Sequence, residues 1–423
     1  MNIPHRISRV IIERITPQVD GGKFPIKRVI GERVHVEADA FTDGHDHISV
    51  RLLHRHESDP EWTETPMTAL GNDRWSAPFS VDRLGRYCYT VRAQVDRFGT
   101  WEHNTLAKAR AGQDVSVDLA IGEELIRQTA SGVSRADAQF LIASAKALSM
   151  VDGLAALGDW LLDKRLVSLM ESRVDEASST VHEPEIGVVV DDPKARFSSW
   201  YELFPRSLGT KGKHGTFKDV EAHLPRIAGM GFDVLYLPPI HPIGTTFRKG
   251  KNNVVEAGRD DVGSPWAIGG PEGGHKSIHP KLGTLAGFRR LVKAAKKRDI
   301  NIALDIAFQC SPDHPYVTEN PQWFKHRPDG TIQYAENPPK KYQDIYPLDF
   351  ECEDWRALWD ELRSVFLFWI EQGVTIFRVD NPHTKPFPFW EWLITTVKEQ
   401  HPEVIFLAEA FTRPKIMHRL AKL

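Results

Sequence analysis

The chain has 423 residues, which is enough for two to four domains of ordinary size. Hydrophobic residues make up 41% and charged residues 26% of the sequence, a mixture that is typical of globular proteins and excludes fibrous and generally disordered classes. With 54 basic and 57 acidic residues the formal net charge is −3, so the overall charge predicts neither a nucleic-acid partner nor a membrane-surface partner.

Cysteine usage and hydropathy bear on the compartment. The three cysteines, Cys88, Cys310 and Cys352, lack the paired spacing of metal sites, and their odd number favours a reducing compartment without disulfides. The longest strongly apolar run, from Val365 to Ile370, is far shorter than the ~20 residues that cross a bilayer, and the first residues carry no apolar signal-peptide core. We therefore expect a cytoplasmic protein.

Residues 1–120 carry the pattern of an all-β domain. Apolar and polar residues alternate from Arg33 to Ala40 and from Tyr87 to Val95, as in half-buried antiparallel strands. Two further strand-like stretches, Ile48–Leu53 and Arg74–Phe79, lie between them and are bounded by turn-forming residues. This spacing predicts a small β-sandwich.

The pattern changes near residue 121, where the chain becomes rich in Ala, Leu, Asp and Lys and lacks proline for some fifty residues. Val188-Val189-Val190 then resembles a strand again. We predict a helical insertion at 121–179 within a β-sandwich formed by residues 1–120 and 180–195. The apolar stripe of such helices needs a covering surface, either on its own domain or on a second copy of the chain, and a homodimer is the expected state of the full-length protein.

Residues 196–423 alternate between strand-like and helix-like segments, which is typical of a parallel sheet covered by helices. Such units form either a doubly wound sheet or a (β/α)8 TIM barrel, and no Gly-x-Gly-x-x-Gly follows any of the strands, which weighs against a dinucleotide-binding fold. The long segment 311–353 after the third strand is predicted to be an inserted loop subdomain. The candidate strands are Phe197–Leu203, Val234–Leu237, Asn301–Phe308, Val374–Val379 and Val404–Ala408.

Three carboxylates stand at the ends of the predicted strands, namely Asp305, Asp380 and Glu409. In a parallel barrel the carboxyl ends of the strands meet at the catalytic face, and one helix and one strand fit between Asp380 and Glu409, so these two are expected to be neighbours. Two facing carboxylates carry out glycoside chemistry, and a separation of ~5–5.5 Å favours retention through a covalent intermediate. Arg378, two residues before Asp380, would hold that carboxylate ionised.

A plainer interpretation exists for each carboxylate. An isolated Asp or Glu at a strand end is more often a helix N-cap or a salt-bridge partner than a catalyst. Two such residues in adjacent βα units, one of them accompanied by an arginine, favour chemistry instead. Asp305 is the member of the set whose role is open to a structural interpretation.

Asp305, Phe377-Arg378-Val379-Asp380 and Phe406-Leu407-Ala408-Glu409 resemble three signature regions of the α-amylase superfamily, glycoside hydrolase family 13. The resemblance implies that Asp380 is the nucleophile and Glu409 the general acid/base. Five longer motifs resemble the bacterial α-1,4-glucan:maltose-1-phosphate maltosyltransferases, and the resemblance extends over nearly the whole chain. They are Leu237–Gly244, Arg248–Asn253, Gly274–Pro280, Leu304–His314 and Asp380–Pro386.

This resemblance implies a substrate and a set of binding residues. Gln309-Cys310 replaces the Asn-His of ordinary amylases, which makes a simple starch hydrolase less fitting. The implied activity is the transfer of maltosyl from α-maltose 1-phosphate to the non-reducing end of an α-1,4-glucan, with release of phosphate and through a β-maltosyl-enzyme. The implied contacts are Lys249, Asn253 and Gln309 with the donor sugars, and Asn337, Lys340, Tyr342 and Asn381 with the phosphate.

No cofactor and no metal are predicted. His241, His275, His279 and His314 are scattered over loops without the spacing of a two-ligand helix, so ordinary hydrogen bonding is the expected role of these side chains. Taken alone, Lys340-Lys341 and Lys249-Gly-Lys251 also fit solvated surface positions.

Few residues follow Glu409, so we expect a chain truncated after the fifth barrel strand, without the third catalytic Asp of the superfamily, and inactive by itself. Two alternatives remain open at this point. The first is an amylase-type hydrolase or trehalose-forming isomerase, which would need no phosphate-binding cluster. The second is a non-catalytic glucan-binding protein.

Overall fold

A computed structural model of the chain describes residues 8–173, 178–210 and 212–423. The first residues of the predicted β-sandwich and positions 174–177 of the predicted insertion lie outside this range. The chain divides into two compact units, one ending at Val190 and the other running from Asp191 to Leu423. Within the described residues, no helix combines the length and the apolar character needed to cross a bilayer.

The first unit contains two sheets, with strand orders β1-β3-β7-β6 and β2-β10-β8-β4-β5, and β9 pairs with β8. The long pairings of β3 with β7 and of β4 with β8 are antiparallel. The strands are β1 (Val10–Thr16), β2 (Ile26–Val29), β3 (Arg33–Thr42), β4 (Ile48–His56), β5 (Thr63–Pro66), β6 (Thr68–Gly71), β7 (Arg74–Ser80), β8 (Gly85–Val95), β9 (Thr180–Val181) and β10 (Ile186–Asp191).

Alternating residues of both sheets form one buried cluster. Val34, Val36 and Ala38 of β3 are buried together with Tyr89 and Val91 of β8, as the period-two pattern predicts. The two sheets therefore share a core.

Five helices follow β8 and have a buried cluster of their own. They begin at Arg97, so the prediction of an all-β segment extending to residue 120 is wrong for residues 97–110 and 116–120. The fully buried residues of the first helix are only Phe98, Trp101 and Thr105, of which one is polar, and this leaves a weak helical period. The helices are α1 (Arg97–Arg110), α2 (Ser116–Ala130), α3 (Arg135–Leu148), α4 (Gly153–Leu161) and α5 (Lys164–Glu171).

The second unit is built on a five-stranded parallel sheet with order β11-β12-β13-β18-β19. Each of the five candidate strands of the sequence coincides with one of these strands. The strands of this unit are β11 (Trp200–Glu202), β12 (Val234–Leu237), β13 (Asn301–Ile306), β14 (Gln309–Cys310), β15 (Ala335–Asn337), β16 (Lys340–Tyr342), β17 (Tyr346–Pro347), β18 (Ile376–Val379) and β19 (Ile405–Ala408).

Helices separate the parallel strands and bury apolar stripes against them. In the longest helix Leu358, Leu362, Val365, Phe366 and Trp369 are all fully buried, at the spacing of one helical face. The helices are α6 (Pro193–Arg196), α7 (Phe217–Gly229), α8 (Leu285–Lys296), α9 (Pro315–Glu319), α10 (Trp355–Glu371), α11 (Phe387–Gln400) and α12 (Pro414–Ala421).

The segment 311–353 contains the short helix α9 and the hairpin β15–β16. Its start and end are held together because β14, at Gln309–Cys310, pairs with β17, at Tyr346–Pro347. The hairpin is therefore anchored directly after the strand that carries Asp305.

Candidate active site

The three predicted carboxylates lie at the carboxyl ends of three neighbouring strands of the parallel sheet. Asp305 pairs in register with Arg378, and the backbone N–H of Asp380 donates to the Ile306 carbonyl at 2.9 Å. The N–H of Glu409 donates to the Val379 carbonyl at 3.0 Å. Because these bonds continue the parallel ladders one residue beyond β18 and β19, the carboxyl ends of both strands deliver their carboxylates to one place.

One guanidinium group joins all three carboxylates. Nη1 of Arg378 lies 2.8 Å from Oδ2 of Asp305 and 2.9 Å from Oδ1 of Asp380, and Nη2 forms an ion pair with Oε1 of Glu409. A planar, permanently charged fork can bind several carboxylate oxygens at fixed angles. Arg378 therefore sets the mutual position of Asp380 and Glu409.

Asp305 is the most buried of the three acids, at 1% exposure. Burial raises its pKa to about 7, against the opposing effect of Arg378. The Tyr236 hydroxyl donates to Oδ2 of Asp305 at 2.5 Å. Asp305 thus binds Arg378 from the interior of the protein, which agrees with the structural interpretation of Asp305.

Glu409 has the electrostatics of a proton donor. Burial raises its pKa, and a hydrogen bond with Asp380 raises it further, while Arg378 acts in the opposite direction. A raised pKa keeps the carboxyl protonated to higher pH, as a general acid requires. Asp380 and Glu409 also contact the same Arg378 guanidinium, so the two carboxyls lie close together.

The residues after Asp380 form a tight turn over the site. Asn381 adopts a left-handed conformation with φ of 42°, and its side-chain amide donates to Oδ2 of Asp380 at 3.4 Å. The Lys385 ammonium donates to the Asn381 carbonyl at 3.4 Å. Burial lowers the Lys385 pKa to about 8, although Asp380 and Asp305 favour its charged form.

The three phosphate-binding candidates outside this turn share one face of a hairpin. Asn337 pairs directly with Lys340, and Tyr342 lies two residues further along the same strand. Opposed residues and residues two apart project to the same side of a β-ribbon, so an amide, an ammonium and a phenol stand side by side. Glu336 and Lys341 project to the other side.

The candidate sugar contacts are more dispersed. The Gln309 amide donates to the Trp266 carbonyl at 3.2 Å, next to the strand of Asp305. Lys249 is buried and donates to Gln343, whereas Asn253 is exposed in a turn. Among the described residues, no hydrogen bond joins these three side chains or the hairpin to the carboxylates.

The fold brings two of the scattered histidines together with a cysteine. One ligand atom each of His275, Cys310 and His314 lies within 4.8 Å of the others, a grouping that sequence spacing did not indicate. The backbone N–H of Tyr316 donates to His314 Nδ1, and a 3.0 Å hydrogen bond joins His314 Nε2 to His275 Nδ1. His275 Nε2 donates to the Ala307 carbonyl. All four ring nitrogens are thus engaged, and burial lowers the pKa of both rings.

Sequence reasoning missed three residues that belong to this neighbourhood. Tyr236 had a usable signal, because a tyrosine in a fully buried strand needs a partner for its hydroxyl. No sequence signal marked Lys385 or Gln343, because each is a polar residue in a loop-like segment whose backbone conformation depends on tertiary contacts.

Comparison with known proteins identifies relatives of this chain. Residues 8–192 match the model of the α-1,4-glucan:maltose-1-phosphate maltosyltransferase N/S domain. The chain is 55% identical to the α-1,4-glucan:maltose-1-phosphate maltosyltransferase of Chlorobaculum tepidum, over 98% of this chain and 62% of that protein. It is 47% identical to the enzyme of the same name from Cereibacter sphaeroides, over 98% of this chain and 70% of that protein.

A solved structure of an α-amylase from Lactobacillus plantarum also matches, with 33% identity, 51% coverage of this chain, 46% coverage of that chain and a TM-score of 0.44. Paired carboxylates after adjacent parallel strands are typical of enzymes that act on glycosidic bonds. The chain belongs to the α-1,4-glucan:maltose-1-phosphate maltosyltransferase family. It spans 62% of the length of the Chlorobaculum tepidum relative and of a second relative, from Methylacidiphilum infernorum.

Proposed function

We propose that this chain carries the donor-binding and nucleophilic part of a retaining maltosyltransferase, which moves maltosyl from α-maltose 1-phosphate to the non-reducing end of an α-1,4-glucan. The observation that carries the proposal is the single Arg378 guanidinium that contacts both Asp380 and Glu409. The names of the family members supply the two substrates.

The first half-reaction transfers the sugar to the enzyme. An Asp380 oxygen attacks C1 of the donor, the bond from C1 to the phosphate oxygen breaks, and Glu409 assists the departure of phosphate as general acid. The product is a β-maltosyl ester of Asp380. The raised pKa of Glu409 supports its part in this step.

The second half-reaction transfers the sugar to the glucan. Glu409, now ionised, removes the proton from the terminal 4-hydroxyl, whose oxygen attacks C1 and breaks the ester to Asp380. Two inversions at C1 restore the α configuration. Elongation of the glucan by one maltosyl unit and release of one phosphate therefore balance the reaction.

Asn337, Lys340, Tyr342 and Asn381 are proposed to bind the phosphate. Three of them share a hairpin face, and Asn381 follows the nucleophile directly. An ammonium, a phenol and amides can stabilise the negative charge that develops on the leaving group. Lys249, Asn253 and Gln309 are proposed to contact the donor sugars.

We further propose that the first unit is a β-sandwich with a helical insertion, and that the parallel sheet is the first five strands of a (β/α)8 barrel. The shared core of the two sheets and the strand order support these assignments. A homodimer formed through the helices is proposed because Val117, Met150 and Leu162 are each at least 70% exposed.

Phosphate recognition is tested by comparing two donors with the same sugar. In the full-length protein that contains this chain, Lys340→Ala should lower kcat/KM for α-maltose 1-phosphate by about 10- to 100-fold, the usual effect of losing a charge-assisted hydrogen bond. The value for α-maltosyl fluoride, which has no phosphate, should change less than about twofold. Kinetics with both donors measure the difference.

Lys341→Ala is the matched control, because this neighbouring side chain is exposed on the other face of the hairpin. Equal losses with both donors would mean that Lys340 does not bind phosphate. Hydrolysis of α-1,4-glucan in the absence of α-maltose 1-phosphate would instead favour an amylase-type activity.

A further inference from the structure

Lys249 is a buried ammonium with a defined partner. The residue is 5% exposed, and its Nζ donates to Oε1 of Gln343 at 2.8 Å, across 94 positions of sequence. A buried charge without a hydrogen-bonding or charged partner is strongly unfavourable. The Gln343 contact is therefore a condition for placing Lys249 inside the protein.

Asp344, the next residue, supplies the opposite charge. It is 2% exposed, and its Oδ1 is buried without a hydrogen-bond partner among the described residues. Burial raises the Asp344 pKa, and attraction to Lys249 opposes this shift. The buried carboxylate and the buried ammonium thus partly compensate one another.

Gln343 and Asp344 lie in a short, restrained connection between β16 and β17. The Ile345 N–H donates to the Tyr342 carbonyl at 3.1 Å, and the Ala335 N–H donates to the Ile345 carbonyl at 2.8 Å. A movement of the hairpin that carries Lys340 and Tyr342 therefore displaces Gln343 as well.

Lys249 belongs to a different loop, the one that follows β12. Asp313 restrains the start of that loop by accepting hydrogen bonds from the N–H groups of Thr245 and Thr246 at 2.6 and 2.8 Å. The Lys249–Gln343 bond is a second tie, and it joins this loop to the hairpin. An ammonium has three N–H donors, so the bond to Gln343 uses one and leaves two for sugar hydroxyls.

We propose that Gln343 and Asp344 are positioning residues for Lys249. The hydrogen bond between Lys249 and Gln343 couples the loop after β12 to the β15–β16 hairpin. Binding of the donor sugar therefore depends on the same hairpin that binds phosphate. The inference rests on the proposed function for the identity of the donor. Coupling of the two segments does not depend on that identity.

Steady-state kinetics of the full-length protein test the positioning role. Gln343→Ala should raise KM for α-maltose 1-phosphate about tenfold while kcat changes less than about twofold, because a lost binding contact weakens the ground and transition states alike. In a Lys249→Ala background, Gln343→Ala and Asp344→Asn should each have no further effect. Gln322→Ala, an exposed glutamine of the same segment, is the matched control.

Amide hydrogen exchange tests the coupling without substrate. Lys249→Ala should speed exchange in the hairpin 335–342, Gln343→Ala should speed exchange in the loop 245–256, and the double variant should match the single variants. Exchange that stays local to each substitution, or kinetic effects that add in the double variant, would overturn the inference. If the parent protein releases no phosphate but the exchange coupling is present, the proposed function fails and the coupling stands.

Discussion

Asp380→Asn should lower the rate of phosphate release from α-maltose 1-phosphate by at least about a thousandfold, while the protein stays folded. An amide cannot form the ester to C1. Asp305 is buried and Glu409 is the proposed acid, so neither should replace Asp380 as the nucleophile. Asn also keeps the size of Asp, so packing around the site changes little. Release of phosphate by the full-length protein, with donor and glycogen present, measures the effect.

Asp360→Asn is the control for this substitution. Asp360 lies on α10 with a side chain that is 64% exposed, and its charge pairs with Arg363 on the same helix. This variant should retain the parent rate. Phosphate release by Asp380→Asn at the parent rate would reject Asp380 as the nucleophile.

Arg378→Met should lower both the stability of the protein and its rate of phosphate release. The substitution leaves Asp305, Asp380 and Glu409 without their common cation, and breaking such a partly buried group of ion pairs costs about 3–5 kcal/mol. Denaturant unfolding of variant and parent measures the loss, and phosphate release should fall with it.

The loss of stability should depend on pH. Arg378 lowers the pKa values of Asp305 and Glu409 against the effect of burial, so without it both values should rise further above those of the unfolded chain, and the folded variant should bind more protons than the unfolded chain. Its stability should therefore increase as pH falls through the folded-state pKa of Asp305, which is about 7 in the parent and higher in the variant, because protonation relieves the repulsion. A loss of stability that is the same above and below this pH would show that Arg378 acts by packing and not by charge.

Much of the second unit was predictable because its strands are fully buried. Val234–Leu237 is a continuous apolar run, and such runs form parallel strands covered on both faces. Once the strands are known, the ends of β18 and β19 fix the positions of Asp380 and Glu409, since parallel strands bring their carboxyl ends to one edge. The spacing of two residues indicated a contact between Arg378 and Asp380, whereas the contacts of Arg378 with Asp305 and Glu409 emerge only from the structure.

Other features depend on contacts that no local pattern encodes. The start of α1 was missed because Phe98 and Trp101 are the only large apolar residues among its first eight, too few to show a helical period. The burial of Lys249 was also unpredictable, because its partner Gln343 is 94 residues away in sequence and meets it only in the folded protein. Long-range polar contacts of this kind require the tertiary structure.

The central claim is that Asp380 forms a covalent bond to the donor sugar, and trapping that bond tests it most directly. In Glu409→Gln of the full-length protein, α-maltosyl fluoride should still react, since fluoride leaves without an acid, whereas transfer to the acceptor lacks its base. Mass spectrometry of the digested protein should find one added maltosyl group on the peptide that contains Asp380. A maltosyl group on a different carboxylate, or turnover of the fluoride with no adduct at all, would contradict the account.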